Sequence, residues 1–229
     1  MDEIKFSLTQ ADKIAIERKD DIYINAKGAK LYRDQSYARA VEYYRLGAVM
    51  GNVDSISNLG YCYLYGRDIP QDTALAIAYF KIASEKGNPD AAYKLGDIYS
   101  RDTWGLEDKE LSIYYYSLAV TYIIGSDWQL RDNLYYEDAL QYYPSLCFAL
   151  ARELATGGEL ITDISLSYQF LLHAKIGYEK ELAHGFEMYR QSYESLQRLM
   201  VDSQYDGVRE KYDDMYLGDE ENDEEEIDF

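Results

Sequence analysis

The sequence predicts an all-α solenoid of stacked helix-turn-helix units, and three observations carry that prediction. The first is a self-similarity at a shift of 36 residues. Tyr43-Tyr44 falls on Tyr79-Phe80 and then on Tyr115-Tyr116, Ala40 on Ala76 and Ser112, and Gly47 on Ala83 and Ala119. Gly51-Asn52 falls on Gly87-Asn88, Asp54 on Asp90, Leu59-Gly60 on Leu95-Gly96, and Tyr63 on Tyr99. A fixed period of this length marks a repeat architecture. The second is the stretch "AYFKIASEKGNPDAAYKLGDIY", residues 78–99, which has helical spacing at both ends and a Gly-Asn-Pro-Asp break between them. The third is the pairing of small residues (Gly60, Gly96, Ala76, Ala83) with rings (Tyr63, Phe80, Tyr99) that fill the grooves between close helices. No such unit can bury its apolar stripe alone, so neighbours must stack.

The elements follow in order. The first unit, about residues 22–52, contains "NAKGAKLYRDQSYARAVEYYRLGAVMGN" and matches the second if Gly28 pairs with Gly60 and the loop between its helices is four residues shorter. In the second unit, 53–88, helix A runs from Asp54 to Tyr65 and helix B from Thr73 to Lys86, with Asp72 as N-cap and "YGRDIPQD" between them. Gly87 closes helix B in the left-handed conformation, Asn88 caps the next helix, Pro89 takes its first position and Asp90 complements its dipole. The third unit covers 89–124. A fourth, 144–179, lies at an offset of 91 from the second and aligns Leu59 with Leu150, Gly60 with Ala151, Asp72 with Asp163, Phe80 with Leu171 and Ala83 with Ala174. That offset leaves an insert at 125–143, "GSDWQLRDNLYYEDALQYY". Its aromatic residues are expected to cover the irregular joint between units, through Trp128, Tyr135 and Tyr136; the alternative is an exposed binding element. Residues 183–217 supply capping helices. The tail, 218–229, holds 8 acidic residues and no basic one, and is expected to be disordered and dispensable for folding.

Composition narrows the function. A net charge of −19 argues against the nucleic acid backbone as a partner. Tyrosine stands out, with 26 residues against 6 Phe and 2 Trp, and its ring with a polar tip suits half-buried, half-wet interfaces. Cys62 and Cys147 form no paired motif and read as small buried hydrophobes of a reducing compartment. The first residues have no apolar run of a signal peptide and no later segment could span a membrane, so a cytoplasmic protein is expected. His173 and His184 stand 11 residues apart, too far for one helical metal face; the first reads as a satisfied, partly buried side chain and the second as a loop or cap residue. No phosphate-binding, zinc-protease, nucleophile-elbow or Cys-x-x-Cys motif occurs. The chain therefore reads as a non-enzyme without cofactor, metal or small-molecule substrate.

Residues 58–99, with their Leu-Gly pair in helix A, the Gly and Asp flanking the inter-helix loop and the terminal Gly-Asn-Pro-Asp, resemble Sel1-like repeats, close relatives of tetratricopeptide repeats. The resemblance implies a right-handed solenoid whose helices A line a concave face and which acts as a protein-interaction scaffold or adaptor. The helix A positions expected to face the groove are Ser57, Tyr61, Leu64 and Tyr65, then Tyr93, Asp97, Ser100 and Arg101, then Phe148, Arg152, Ala155 and Thr156. Tyr61, Tyr65 and Tyr93 would anchor a partner peptide, with Asp97 as an anion and Arg101 and Arg152 as cations; some of the tyrosines could instead pack between neighbouring helices A. Asp54 and Asp90 are left to their helix-start role. The second reading is an acidic chaperone-like or nucleic-acid-mimicking protein that binds basic proteins through its charge.

Overall fold

A computed structural model describes residues 7–131, 134, 137–156 and 162–217. Of these residues 79% are helical, and no strand occurs among them. The acidic tail and the tyrosines at 135 and 136 lie outside the described residues. The chain divides into two compact bodies, Met1–Glu107 and Asp108–Phe229.

The first body is built from α1 (Gln10–Glu17), α2 (Asp21–Arg33), α3 (Tyr37–Val49), α4 (Val53–Tyr65), α5 (Thr73–Glu85) and α6 (Pro89–Tyr99). Each helix packs on the next in the chain, as stacked helix-turn-helix units require. The joint at Gly-Asn-Pro-Asp has the expected chemistry. Gly87 sits at φ +87°, the Asn88 side chain accepts from the Ala91 N–H at 2.7 Å, and Pro89 opens α6. Asp72 caps α5 through the Leu75 N–H at 2.9 Å. The helix A glycines are required by sterics. A Cβ at Gly60 would stand 2.7 Å from the Phe80 ring, and one at Gly28 would stand 2.7 Å from the ring of Tyr44, the residue 36 positions before Phe80. The Gly28–Gly60 equivalence is thus a shared contact.

Two asparagines do more than cap. Asn52 accepts from the Ser55 N–H and donates its side-chain N–H to Asp21 at 2.8 Å; Asn88 likewise donates to Asp54 at 2.9 Å. Each cap therefore also ties its own helix to the first turn of the helix A one repeat earlier, a role for Asp54 beyond the helix dipole. At the chain start, α1 has no counterpart in the repeat. Its buried Asp12 closes a capping box with Thr9 and accepts from the Tyr43 hydroxyl at 2.7 Å and from Lys27.

The second body holds α7 (Lys109–Ile124), α8 (Pro144–Thr156), α9 (Ile164–Ala183), α10 (Arg190–Met200) and α11 (Asp206–Leu217). Helices α8 and α9 form its central pair; α7 lies on α8, and α10 and α11 lie on α9. Between α7 and α8 the insert folds as two short 3-10 turns, Trp128–Leu130 and Asp138–Tyr142. Trp128 is only 2% exposed, stands edge-on to Phe170 at 5.7 Å, and donates its indole N–H to Thr121 Oγ1 at 3.1 Å. The Leu134 N–H donates to the Gln169 side chain at 2.7 Å. The insert passes so close to α9 that a Cβ at Gly177 would lie 2.3 Å from the Gln141 carbonyl oxygen. Trp128 is thus interior filling. The acidic charge is unevenly divided between the bodies: residues 1–107 hold 16 acidic and 14 basic residues, net −2, whereas residues 108–229 hold 26 and 9, net −17.

His173 is fully buried, and its Nε2–H donates to the Leu134 carbonyl at 2.8 Å. Burial pulls its pKa down from 6.5 to about 4, outweighing the pull of that carbonyl and of Asp138 in the other direction. The folded protein thus disfavours the protonated ring, whereas the unfolded chain takes up the proton near pH 6.5. Its contribution to stability is expected to be complete above pH 6.5 and to fall as the pH drops toward about 4. Urea melts at pH 7 and pH 4.5 check this, because His173→Gln should flatten the difference between them.

Candidate functional site

The site lies on the helix A face of the first body, where the end of α4 meets α6. A single residue organises it. Lys94 is buried, and its ammonium donates to Asp97 Oδ2 at 3.0 Å and to the Tyr65 hydroxyl at 3.5 Å. The same ammonium stands 5.5 Å from the Tyr61 ring centre and 5.3 Å from that of Tyr93. Cation–π attraction at these distances adds to the ion pair and fixes the rings around the charge. Tyr61 packs edge-on to Phe80 at 5.1 Å and lies nearly parallel to Tyr65, centres 6.4 Å apart. Burial pushes the Tyr61 hydroxyl well above the ordinary phenol range, and the charges of Asp90 and Asp97 push it further, so the hydroxyl stays protonated and able to donate.

The shelf continues past the end of α4. Gly66 ends that helix at φ +61°, and Arg67 follows it. The Arg67 guanidinium lies 5.3 Å from the Tyr37 ring centre and 5.8 Å from that of Tyr65, while Tyr37 packs edge-on against Tyr32 at 5.0 Å. Rings and cations therefore alternate along this face: Tyr37, Arg67, Tyr65, Lys94, then Tyr61 and Tyr93. At the far end Arg101 donates to Asp97 Oδ1 at 2.9 Å and leaves 55% of its side chain in solvent.

The expected groove residues separate accordingly. Tyr61, Tyr65, Tyr93, Asp97 and Arg101 come together in the first body, with Tyr65 the most open of the tyrosines at 44% exposure. Asp97 is corrected in its role: each carboxylate oxygen already holds a cation, so it is an internal counter-ion and not an anion offered to a partner. Ser57 and Leu64 are also corrected, since both are buried. They stand three before and four after Gly60, on the stripe that packs against the neighbouring helices. Arg152 belongs to the second body, where its guanidinium lies 5.3 Å over Phe148 and its Nε is buried without a hydrogen-bond partner among the described residues. Lys94, Arg67 and Tyr37 were not among the expected residues. The opposite charges of Lys94, Asp97 and Arg101 at i, i+3 and i+7 were the available signal.

Elsewhere in the first body a shallow apolar cleft of about 460 Å³ runs between α3, α4 and α5, lined mainly by Ala48, Val49, Ile56, Leu59, Tyr79 and Ile82. Among the described residues no group of three or more His, Cys, Asp or Glu side chains could hold a metal ion, and no helix is long and apolar enough to cross a membrane. Cys62 and Cys147 are both free and buried.

These features define a helical-repeat protein, and its candidate site is a surface of aromatic rings held around one ammonium. The family model of the Sel1 repeat matches residues 23–52, 53–88 and 89–121, and this stretch of the chain is a run of three Sel1 repeats. Among solved structures, a Sel1 repeat protein from Oxalobacter formigenes is similar at 19% identity, with 86% of this chain and 87% of that chain covered and a TM-score of 0.42. A second is c5321, a protective antigen of uropathogenic Escherichia coli strains that displays the SLR fold. It is 19% identical, with a TM-score of 0.44, and 89% of this chain matches 53% of that one. The sequence matches no curated protein.

Proposed function

We propose that the chain is a non-catalytic scaffold or adaptor that holds a peptide segment of a partner protein on the concave, helix A face of its first body. Sel1 repeats are generally protein–protein interaction modules, and typically non-catalytic ones. The observation that carries the proposal is the tyrosine shelf. Three rings, Tyr61, Tyr65 and Tyr93, are partly open to solvent yet held by one buried ammonium. Rings fixed in advance lose little conformational freedom when a partner covers them, which favours tight binding per unit of area. Tyrosine is also among the residues that most often dominate binding energy. The cytoplasm suits the two buried, unpaired thiols.

Affinity capture from the native host, repeated with Tyr61→Ala/Tyr93→Ala, tests the proposal. The double variant should stay folded and lose about 2 kcal/mol or more of binding, roughly thirtyfold. Unchanged capture by a folded double variant would remove this face from the function. The charge-driven alternative, binding of basic proteins by the acidic part of the chain, predicts instead that nearly all affinity disappears as salt is raised.

A further inference from the structure

We propose that the shelf selects peptide segments bearing Asp or Glu side chains, with the carboxylates received by Arg67 and Arg101. This rests on the peptide-binding reading above and adds the chemistry of the partner. The argument begins with which charges are already used. Lys94 and Asp97 satisfy each other inside the shelf, and Asp54 is engaged by Asn88. Arg101 gives one nitrogen to Asp97 and keeps most of its side chain in water. Arg67 lies over Tyr37 and beside Tyr65 and gives one bond to the Tyr32 hydroxyl, while its Nε is buried without a hydrogen-bond partner among the described residues. A guanidinium carries five N–H donors in its own plane, so one bond to a phenol leaves donors over, and a planar carboxylate is the group that best matches them.

The balance of charge points the same way. On the shelf the carboxylates Asp54, Asp68 and Asp97 are already taken up by Asn88, by the Ala38 N–H and by Lys94 with Arg101, so the cationic ends at Arg67 and Arg101 are what it offers to solvent. The body that bears it is close to neutral, at −2, so its own charge offers little repulsion to an acidic segment. The guanidinium–ring pairing recurs in the second body. Arg152, aligned with Tyr61 at the 91-residue offset, lies over Phe148 and has a buried Nε without a partner among the described residues. A carboxylate is preferred to a phosphate because no two free guanidinium groups are seen converging on one point, and Asp97 stands against Arg101.

The test starts from a displayed library of random twelve-residue peptides selected on the full chain. Binders should be enriched in Asp and Glu. The best binder and its Asn/Gln isostere are then titrated by fluorescence anisotropy against the unaltered chain, Arg67→Gln/Arg101→Gln, and Tyr61→Ala/Tyr93→Ala. The isostere should bind the unaltered chain at least about tenfold more weakly, and the double arginine variant should bring the acidic peptide down to the level of its isostere. Arg101→Gln alone, at an exposed position, gives the same comparison if the double variant does not fold. Neutral or basic binders that Tyr61→Ala/Tyr93→Ala abolishes would overturn the acidic selection while leaving the peptide site in place. Acidic binders indifferent to the arginine changes would overturn it too. No binders at all would remove both.

Discussion

Replacing Asp12 with alanine is expected to destabilise the first body by about 3–5 kcal/mol, the usual cost of stripping one partner from a buried ion pair. The carboxylate is fully buried and accepts from Thr9, from the Tyr43 hydroxyl and from Lys27, whose ammonium also lies 5.0 Å from the Tyr43 ring centre. Its loss removes one half of the capping box of α1, the acceptor of a buried hydroxyl and the counter-ion of Lys27 in one step. The same residue sets an acid limit. Burial alone would raise its pKa, but the bonds from Lys27, Tyr43 and Thr9 outweigh burial and hold it well below the ordinary carboxylate value of 3.8. The contribution is therefore complete above about pH 4 and is lost as the pH falls below it. Chemical denaturation of Asp12→Ala beside the unaltered chain, at pH 7 and pH 3, checks both statements. A loss under 1 kcal/mol at pH 7 would show that α1 is not tied to the repeats through this carboxylate.

Trp128→Ala should cost the second body a similar amount, about 3–5 kcal/mol, because a large buried ring is removed and the space left can close only in part. Phe170 would lose its edge-on neighbour and Thr121 the indole donor. Capture of the partner should be unchanged in the fraction that remains folded. The opposite pattern, full stability with lost capture, would make the insert a binding element.

The repeat was legible because its constraints are local and recur. A glycine at a positive φ followed by an Asn cap recurs after 36 residues (Gly51-Asn52 and Gly87-Asn88), and a helix A glycine facing a ring of helix B recurs with a shorter loop between (Gly28 and Tyr44, Gly60 and Phe80). The unread parts depend on contacts that no spacing records. Asp12 is buried by Lys27 and Tyr43, which lie 15 and 31 residues away, so α1 looks like an ordinary polar start. Groove positions were chosen by offset from the Leu-Gly pair, and that rule passed over Lys94, next to Tyr93, although it holds the shelf together. The rule also admitted Ser57 and Leu64, which share the stripe of Gly60 and turn inward with it. Arg67 lies in the loop after α4, where no helical register applies.

The asparagine links between repeats carry a consequence for how the protein ages. Each depends on a carboxamide that donates to a carboxylate, Asn52 to Asp21 and Asn88 to Asp54. Asn88 is protected from spontaneous hydrolysis, because Pro89 has no backbone N–H with which to close the imide ring on the usual route. At Asn52 such hydrolysis would exchange the donor for a second carboxylate and turn an attraction across that joint into a repulsion. The cap survives, since the new side chain still accepts from the helix N–H, so the helices persist while the seam between them weakens. Wear at Asn52 would thus show as loosened stacking of the first two repeats and not as lost helix.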